Sequence, residues 1–155
     1  MELFTRFDGR ITRKTFWLGL LAIAAGAIAL GVGLASILPD GAVLTAARVI
    51  GLAAVMFVWA AIVVKRLHDR DKPAIPYAII FIGPGVLMAL MQNFEIGYTM
   101  INVGEIPLAV PGVAGLIVQY VAMAVGLWMI VELGFMKGTS GENRFGPDPA
   151  GATGE

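Results

Sequence analysis

The chain of 155 residues contains no cysteine, which removes disulfides, thiolate nucleophiles, iron–sulfur clusters and cysteine-built zinc sites together. Histidine occurs once, at His68, so a metal centre needing two or more imidazoles is excluded as well. Charge is scarce: 14% of residues are charged against about 25% in ordinary globular domains, while 58% are hydrophobic. The eleven basic and eleven acidic side chains cancel, leaving no global field that would draw nucleic acid. Serine is nearly missing too, with only Ser36 and Ser140. Together these shortages argue against a water-soluble enzyme with a cofactor or metal; none is expected.

Present instead are four long apolar runs. Phe16 to Leu38 holds no charge, and at 1.5 Å per residue it reaches roughly 34 Å against about 30 Å of bilayer hydrocarbon. It is too long for the apolar region of a signal peptide and ends at Pro39-Asp40, without a small-residue cleavage site, so a retained span is expected. The second span is expected over residues 45–64, extending the Val49–Val64 run back past Arg48, whose head can snorkel to the interface. The third, residues 74–91, contains Gly83-Pro84-Gly85, where a kink or break is expected. The fourth, residues 106–131, carries Pro107 and Pro111 in its first turns, where a helix tolerates proline. The fold class expected is an all-α membrane protein, one domain of four transmembrane helices, with residues 132–155 as a tail. Gln92 to Glu105 reads as a loop or short interfacial segment. Small residues recur at every fourth position, as in Ala25, Ala29 and Gly33, a spacing that lets helices approach closely in lipid. Packing within one bundle accounts for this; a homo-oligomer stays open.

The charges give an orientation. Arg6, Arg10, Arg13 and Lys14 precede the first span. Lys65, Arg66, Arg70 and Lys72 lie between the second and third, and Lys137 and Arg144 follow the fourth. Arg48 alone stands on the other side, so ten of the eleven cations share one face. By the positive-inside bias both termini are expected in the cytoplasm.

The unusual polar residues gather on that face in three blocks. The first runs Phe7-Asp8-Gly9-Arg10-Ile11-Thr12-Arg13-Lys14-Thr15-Phe16-Trp17, with Thr12 a candidate N-cap. The second is Lys65-Arg66-Leu67-His68-Asp69, whose cations complement the negative end of a helix. The third runs from Lys137 to Pro149 and contains three glycines and two prolines, which rule out a regular helix. In this order the blocks resemble the family of bacterial inner-membrane proteins called domain of unknown function 805, the YhaH-like proteins. The resemblance rests on Phe7, Gly9, Arg10, Arg13, Phe16 and Trp17, then Arg66, Leu67, His68 and Asp69. In the tail it rests on Gly138, Gly141, Asn143, Arg144, Phe145, Gly146, Pro147, Asp148 and Pro149. Two departures are visible: Thr12-Arg13-Lys14-Thr15 lacks the acidic half of a capping box, and Lys65 replaces an arginine common in the family. The resemblance implies an inner-membrane location and supplies no activity.

Chemistry-bearing patterns are weak. His68 and Asp69 are adjacent and do not face each other on a helix, so they make a poor catalytic dyad. Ser140 lacks the glycine two residues on that a nucleophile elbow needs, since Glu142 stands there. The tail lacks the Gly-Lys-Ser/Thr of a phosphate loop. No run holds a charge at mid-depth, which disfavours an ion-coupled transporter. Asp69 can pair with Arg66 or Lys65 along its helix, and Asp69 or Asp148 can meet Arg10, Arg13 or Arg144 between blocks. The reading favoured is a non-enzymatic membrane protein whose cluster of Arg10, Arg13, Arg66, His68, Asp69, Asn143, Arg144 and Asp148 forms a structural or interaction surface. Its partners would be the bilayer, anionic lipid headgroups or a cytoplasmic protein. A small transporter or channel component is the alternative, and an enzyme using His68 and Asp69 stands last.

Overall fold

The computed structural model describes residues 2–153; the last two residues of the expected tail lie outside them. A short helix α1 (Glu2–Thr5) precedes α2 (Arg13–Ile37), α3 (Ala42–Asp69) and α4 (Ala74–Asn93). A hairpin of β1 (Tyr98–Val103) and β2 (Ile106–Pro111) leads into α5 (Val113–Met129), a π-helical stretch (Ile130–Phe135) and a final short helix α6 (Pro149–Thr153).

Helix α2 starts where its sequence signals it. The Thr12 backbone is extended and its hydroxyl accepts from the Thr15 amide at 3.2 Å, satisfying one of the first unpaired donors. Gly41, at φ +130°, turns the chain into α3 with a backbone geometry that suits glycine. Four stretches are long and apolar enough to cross a membrane: Arg13–Ile37, Ala42–Asp69, Ala74–Asn93 and Val113–Phe135. Each helix packs on the next, and the ring closes where the π-helical stretch meets α2 and α3.

Three expectations need correction. The chain is not all-α. Residues 98–111, expected partly as loop and partly as the start of the fourth span, pair as an antiparallel hairpin with Val103 opposite Ile106. The two-residue turn Gly104-Glu105 has Gly104 at φ +66°, and the β-branched Thr99, Ile101, Val103 and Ile106 favour strand. Pro107 and Pro111 therefore sit in a strand of a two-stranded ribbon, where every strand is an edge and a missing donor is tolerated. The fourth helix begins at Val113 instead of residue 106 and runs past 131. Finally, α4 stays helical through Gly83-Pro84-Gly85; its one non-helical residue is Ile75, at φ −99° and ψ 127°. Ile75 precedes Pro76, and proline drives its predecessor to extended backbone. At residue 84 a proline deletes only one donor, and an apolar setting keeps the remaining backbone bonds internal.

The core is not spread along the helices. Ile11, Phe16, Trp59, Ile62, Val63, Leu67, Phe81 and Leu133 form one buried cluster toward the end that carries the N-terminus, the α3–α4 connection and the tail. This is the basic end of the bundle, and the polar residues of the three blocks lie there.

Candidate functional site: a polar knot at the basic end

The last nine residues of α3, Ala61 to Asp69, are all buried. Four of them, Lys65, Arg66, His68 and Asp69, are polar, and each has a partner. Asp69 is the centre. Its Oδ1 accepts from Arg10 Nε at 3.1 Å and lies 3.0 Å from Arg10 Nη2, while its Oδ2 accepts from Arg66 Nη1. Side-chain exposure is 1% for Arg10 and Arg66 and 5% for Asp69, so the carboxylate between two guanidiniums is sealed from water.

Arg10 reaches this point because Gly9, at φ +85°, turns the chain just before it. Its other donors go to the tail: Nη1 to the carbonyls of Gly141 (2.7 Å) and Gly146 (3.1 Å), Nη2 to that of Thr139 (2.6 Å). Four hydrogen bonds and the ion pair at Nη2 thus tie the guanidinium to oxygens of α3 and the tail. Arg66 donates to the carbonyls of Leu133 (2.6 Å), Ile11 (3.3 Å) and Met136 (2.7 Å). The two arginines stitch the N-terminal segment, α3 and the tail into one unit.

The π-helical stretch explains how Arg66 finds acceptors. Five successive carbonyls, from Leu133 to Lys137, each accept from a side chain: Arg66, Trp17, Arg13, Arg66 and Arg70 in turn. A helix end leaves carbonyls without amide partners, and cations there also meet the negative end of the dipole. Glu132 holds a second pair of cations, Arg70 at 3.0 Å and Lys72 at 2.6 Å.

Close approach fixes two glycines. A Cβ on Gly138 would run into the Asp69 carboxylate, and one on Gly134 would stand 2.7 Å from the Trp17 ring. The Asp69 carbonyl accepts from the Thr139 amide (2.8 Å) and hydroxyl (3.1 Å), so the tail lies directly on the knot.

The other expected residues separate into those in the knot and those around it. His68 Nδ1 is 3.2 Å from the Gly9 carbonyl and its ring stacks on Phe145 at 3.9 Å, so its contacts are apart from the Asp69 carboxylate. Asn143 donates to the His68 carbonyl at 2.9 Å and to the Thr139 hydroxyl at 2.8 Å. Asp148 accepts from the amides of Gly141 (2.9 Å) and Ala150 (3.0 Å), with Arg10 Nη2 4.0 Å away. These bonds hold its carboxyl below the usual range, the Ala150 amide contributing most, then Gly141. Arg13 does not reach Asp69; it donates to the Phe135 carbonyl at 3.3 Å. Arg144 also goes elsewhere, to the Asp71 carboxylate (3.0 Å) and carbonyl (2.7 Å), lying over the Phe145 ring. Sequence reasoning overlooked Glu132, Thr139 and the packing role of Gly138 and Gly134. Only Glu132 carried a signal, as the first charge after a long apolar run. Among the described residues no group of three or more His, Cys, Asp or Glu side chains is placed to hold a metal ion.

Four apolar helices closed at one end by a buried polar knot define a multi-pass membrane protein. The family model described as "Protein of unknown function (DUF805)" matches residues 4–147, and the chain belongs to that family. Its relatives include the Uncharacterized protein YiiR of Escherichia coli strain K12 and of Escherichia coli O157:H7. Each is 32% identical over 143 residues, covering 92% of this chain and 84% of the relative. No solved structure shows significant similarity to the chain.

Proposed function

We infer that this is an inner-membrane protein with both termini in the cytoplasm, whose basic end is a pre-assembled interaction surface instead of a reaction centre. The observation that carries this reading is the Arg10–Asp69–Arg66 knot, which spends its buried charges on each other and on backbone carbonyls. A general acid or base must reach a substrate. Asp69 is sealed, and the His68 imidazole is committed to Gly9 and Phe145. What the knot provides is rigidity: it holds a tail that would otherwise be irregular, and so fixes the exposed side chains of Arg13, Lys137 and Arg144 in space. Ten of eleven cations at that end support the cytoplasmic assignment.

The absence of native cysteine permits a clean test. Ser140→Cys in the tail and Ile101→Cys in β1 are each probed with a membrane-impermeant thiol reagent in intact and in permeabilised cells. The reading expects Ile101→Cys to label in intact cells and Ser140→Cys only after permeabilisation. A photocrosslinker attached at Ser140→Cys should then capture lipid or a protein in native membranes, whereas one at Ile101→Cys should not. Labelling of Ser140→Cys in intact cells would overturn the topology.

A further inference from the structure

A cleft of about 610 Å³ opens at the basic end between the first turns of α2 and the tail. Arg13, Lys14 and Lys137 line it together with the Ser140 hydroxyl, and the rings of Trp17 and Phe135 form an apolar wall. None of these three cations belongs to the knot. Lys137 has no side-chain hydrogen bond or ion pair among the described residues, and Arg13 makes a long bond to the Phe135 carbonyl, 3.3 Å. Counting the knot beneath and leaving aside Lys14, which already has a partner, four cations (Arg10, Arg13, Arg66, Lys137) face two carboxylates (Asp69, Asp148), an excess of two positive charges. The apolar wall is continuous with the outer surface of the fourth span, where Phe135 is 62% and Val131 53% exposed. An occupant that satisfies both walls has an anionic head and an apolar body.

We propose that this cleft binds the phosphate headgroup of an anionic membrane lipid, the phosphate lying between Arg13 and Lys137 and the acyl chains leaving past Trp17 and Phe135. This deepens the reading above and rests on it, because the knot is what holds the tail side of the cleft in position. A free phosphate shares the head chemistry and would leave the aromatic wall unused. Arginine and lysine from separate segments give a concave seat for a phosphate oxygen cluster, and a tryptophan at headgroup level suits an interface where one wall is apolar and the other wet.

The test uses the full chain reconstituted in phosphatidylcholine with and without phosphatidylglycerol. Retained lipid is counted by native mass spectrometry after extraction, for the wild type and for Arg13→Gln/Lys137→Gln. The proposal expects selective retention of phosphatidylglycerol, weakened on the order of twentyfold in the double variant, since each removed cation near the surface weakens binding about fivefold. Equal retention of both lipids, or selectivity untouched by the double variant, would overturn it. Displacement by inorganic phosphate as effective as by added phosphatidylglycerol would assign the cleft to a soluble anion and overturn the lipid. Limited proteolysis of the tail is run in parallel. A wild-type tail cut as fast as that of Asp69→Ala would mean that the underlying clamp fails. A resistant tail with unselective retention would mean that the cleft proposal alone fails. Lys137→Gln alone, outside the knot, provides a second variant, expected to weaken retention by itself about fivefold.

Discussion

Helix α2 buries only Phe16 and Gly19 among its 25 residues, whereas the last nine residues of its neighbour α3 are buried without exception. The contrast separates two ways of holding a membrane protein together. Along α2 the apolar surface faces lipid, where removal from water offers no drive for helices to associate and close van der Waals contact must serve. At the end of α3 the surroundings are protein, and directed hydrogen bonds to Asp69 and from Arg10 and Arg66 decide the arrangement. Substitutions in the two regions should therefore differ in cost by far more than their hydrophobicity suggests.

The largest effect is expected at Asp69. Asp69→Ala leaves two buried guanidiniums without their counter-ion, a change that costs about 3–5 kcal/mol when one partner of a buried pair is lost. Arg10→Met should cost less, because Arg66 still pairs with the carboxylate. Thermal unfolding in one detergent measures both.

A smaller, sharper contrast comes from glycine. Gly138→Ala drives a methyl group into the Asp69 carboxylate and should cost about 1–3 kcal/mol, the range for overpacking a filled site. Gly26→Ala on α2 meets nothing within 4 Å and should leave stability within about 0.5 kcal/mol of the wild type. Equal effects at the two positions would erase the distinction between the regions.

The smallest effect is in pH. Asp148 is held below its ordinary value of 3.8, so its contribution is fully present above that pH and is lost as pH falls through the lower folded value. Protection of the Gly141 and Ala150 amides, taken relative to the intrinsic exchange rate at each pH, should hold near neutral pH and fall only in that acid window. Asp148→Asn should remove the acid dependence.

Much of this arrangement was legible in the sequence for a physical reason: long uncharged runs report membrane spans by length alone, and Thr12 announces its helix by its capping chemistry. The hairpin was not legible from hydropathy because β2 continues directly into the fourth apolar run. The turn at Gly104-Glu105 between β-branched residues was its one signal. Three charge blocks on one face suggested a cluster, but they left Arg10 and Arg13 equivalent. The difference between them is backbone geometry. Arg10 follows the Gly9 turn ahead of α2 and donates to carbonyls of the tail, whereas Arg13 opens α2 and stays at the surface. Of the possible partners for Arg144, the structure uses neither Asp69 nor Asp148 but Asp71, at the exposed edge. The contact between Gly138 and Asp69 depends on a close approach that no residue spacing encodes.

Asp69 and Arg10 join segments far apart in the chain into one folded unit. The direct measurement is a double-mutant cycle on thermal stability with Asp69→Ala, Arg10→Met and the pair. The knot predicts that the second substitution restores part of the loss caused by the first, with a coupling of about 1.5–3 kcal/mol. Additivity within about 0.5 kcal/mol, the behaviour of sites that do not touch, would contradict it.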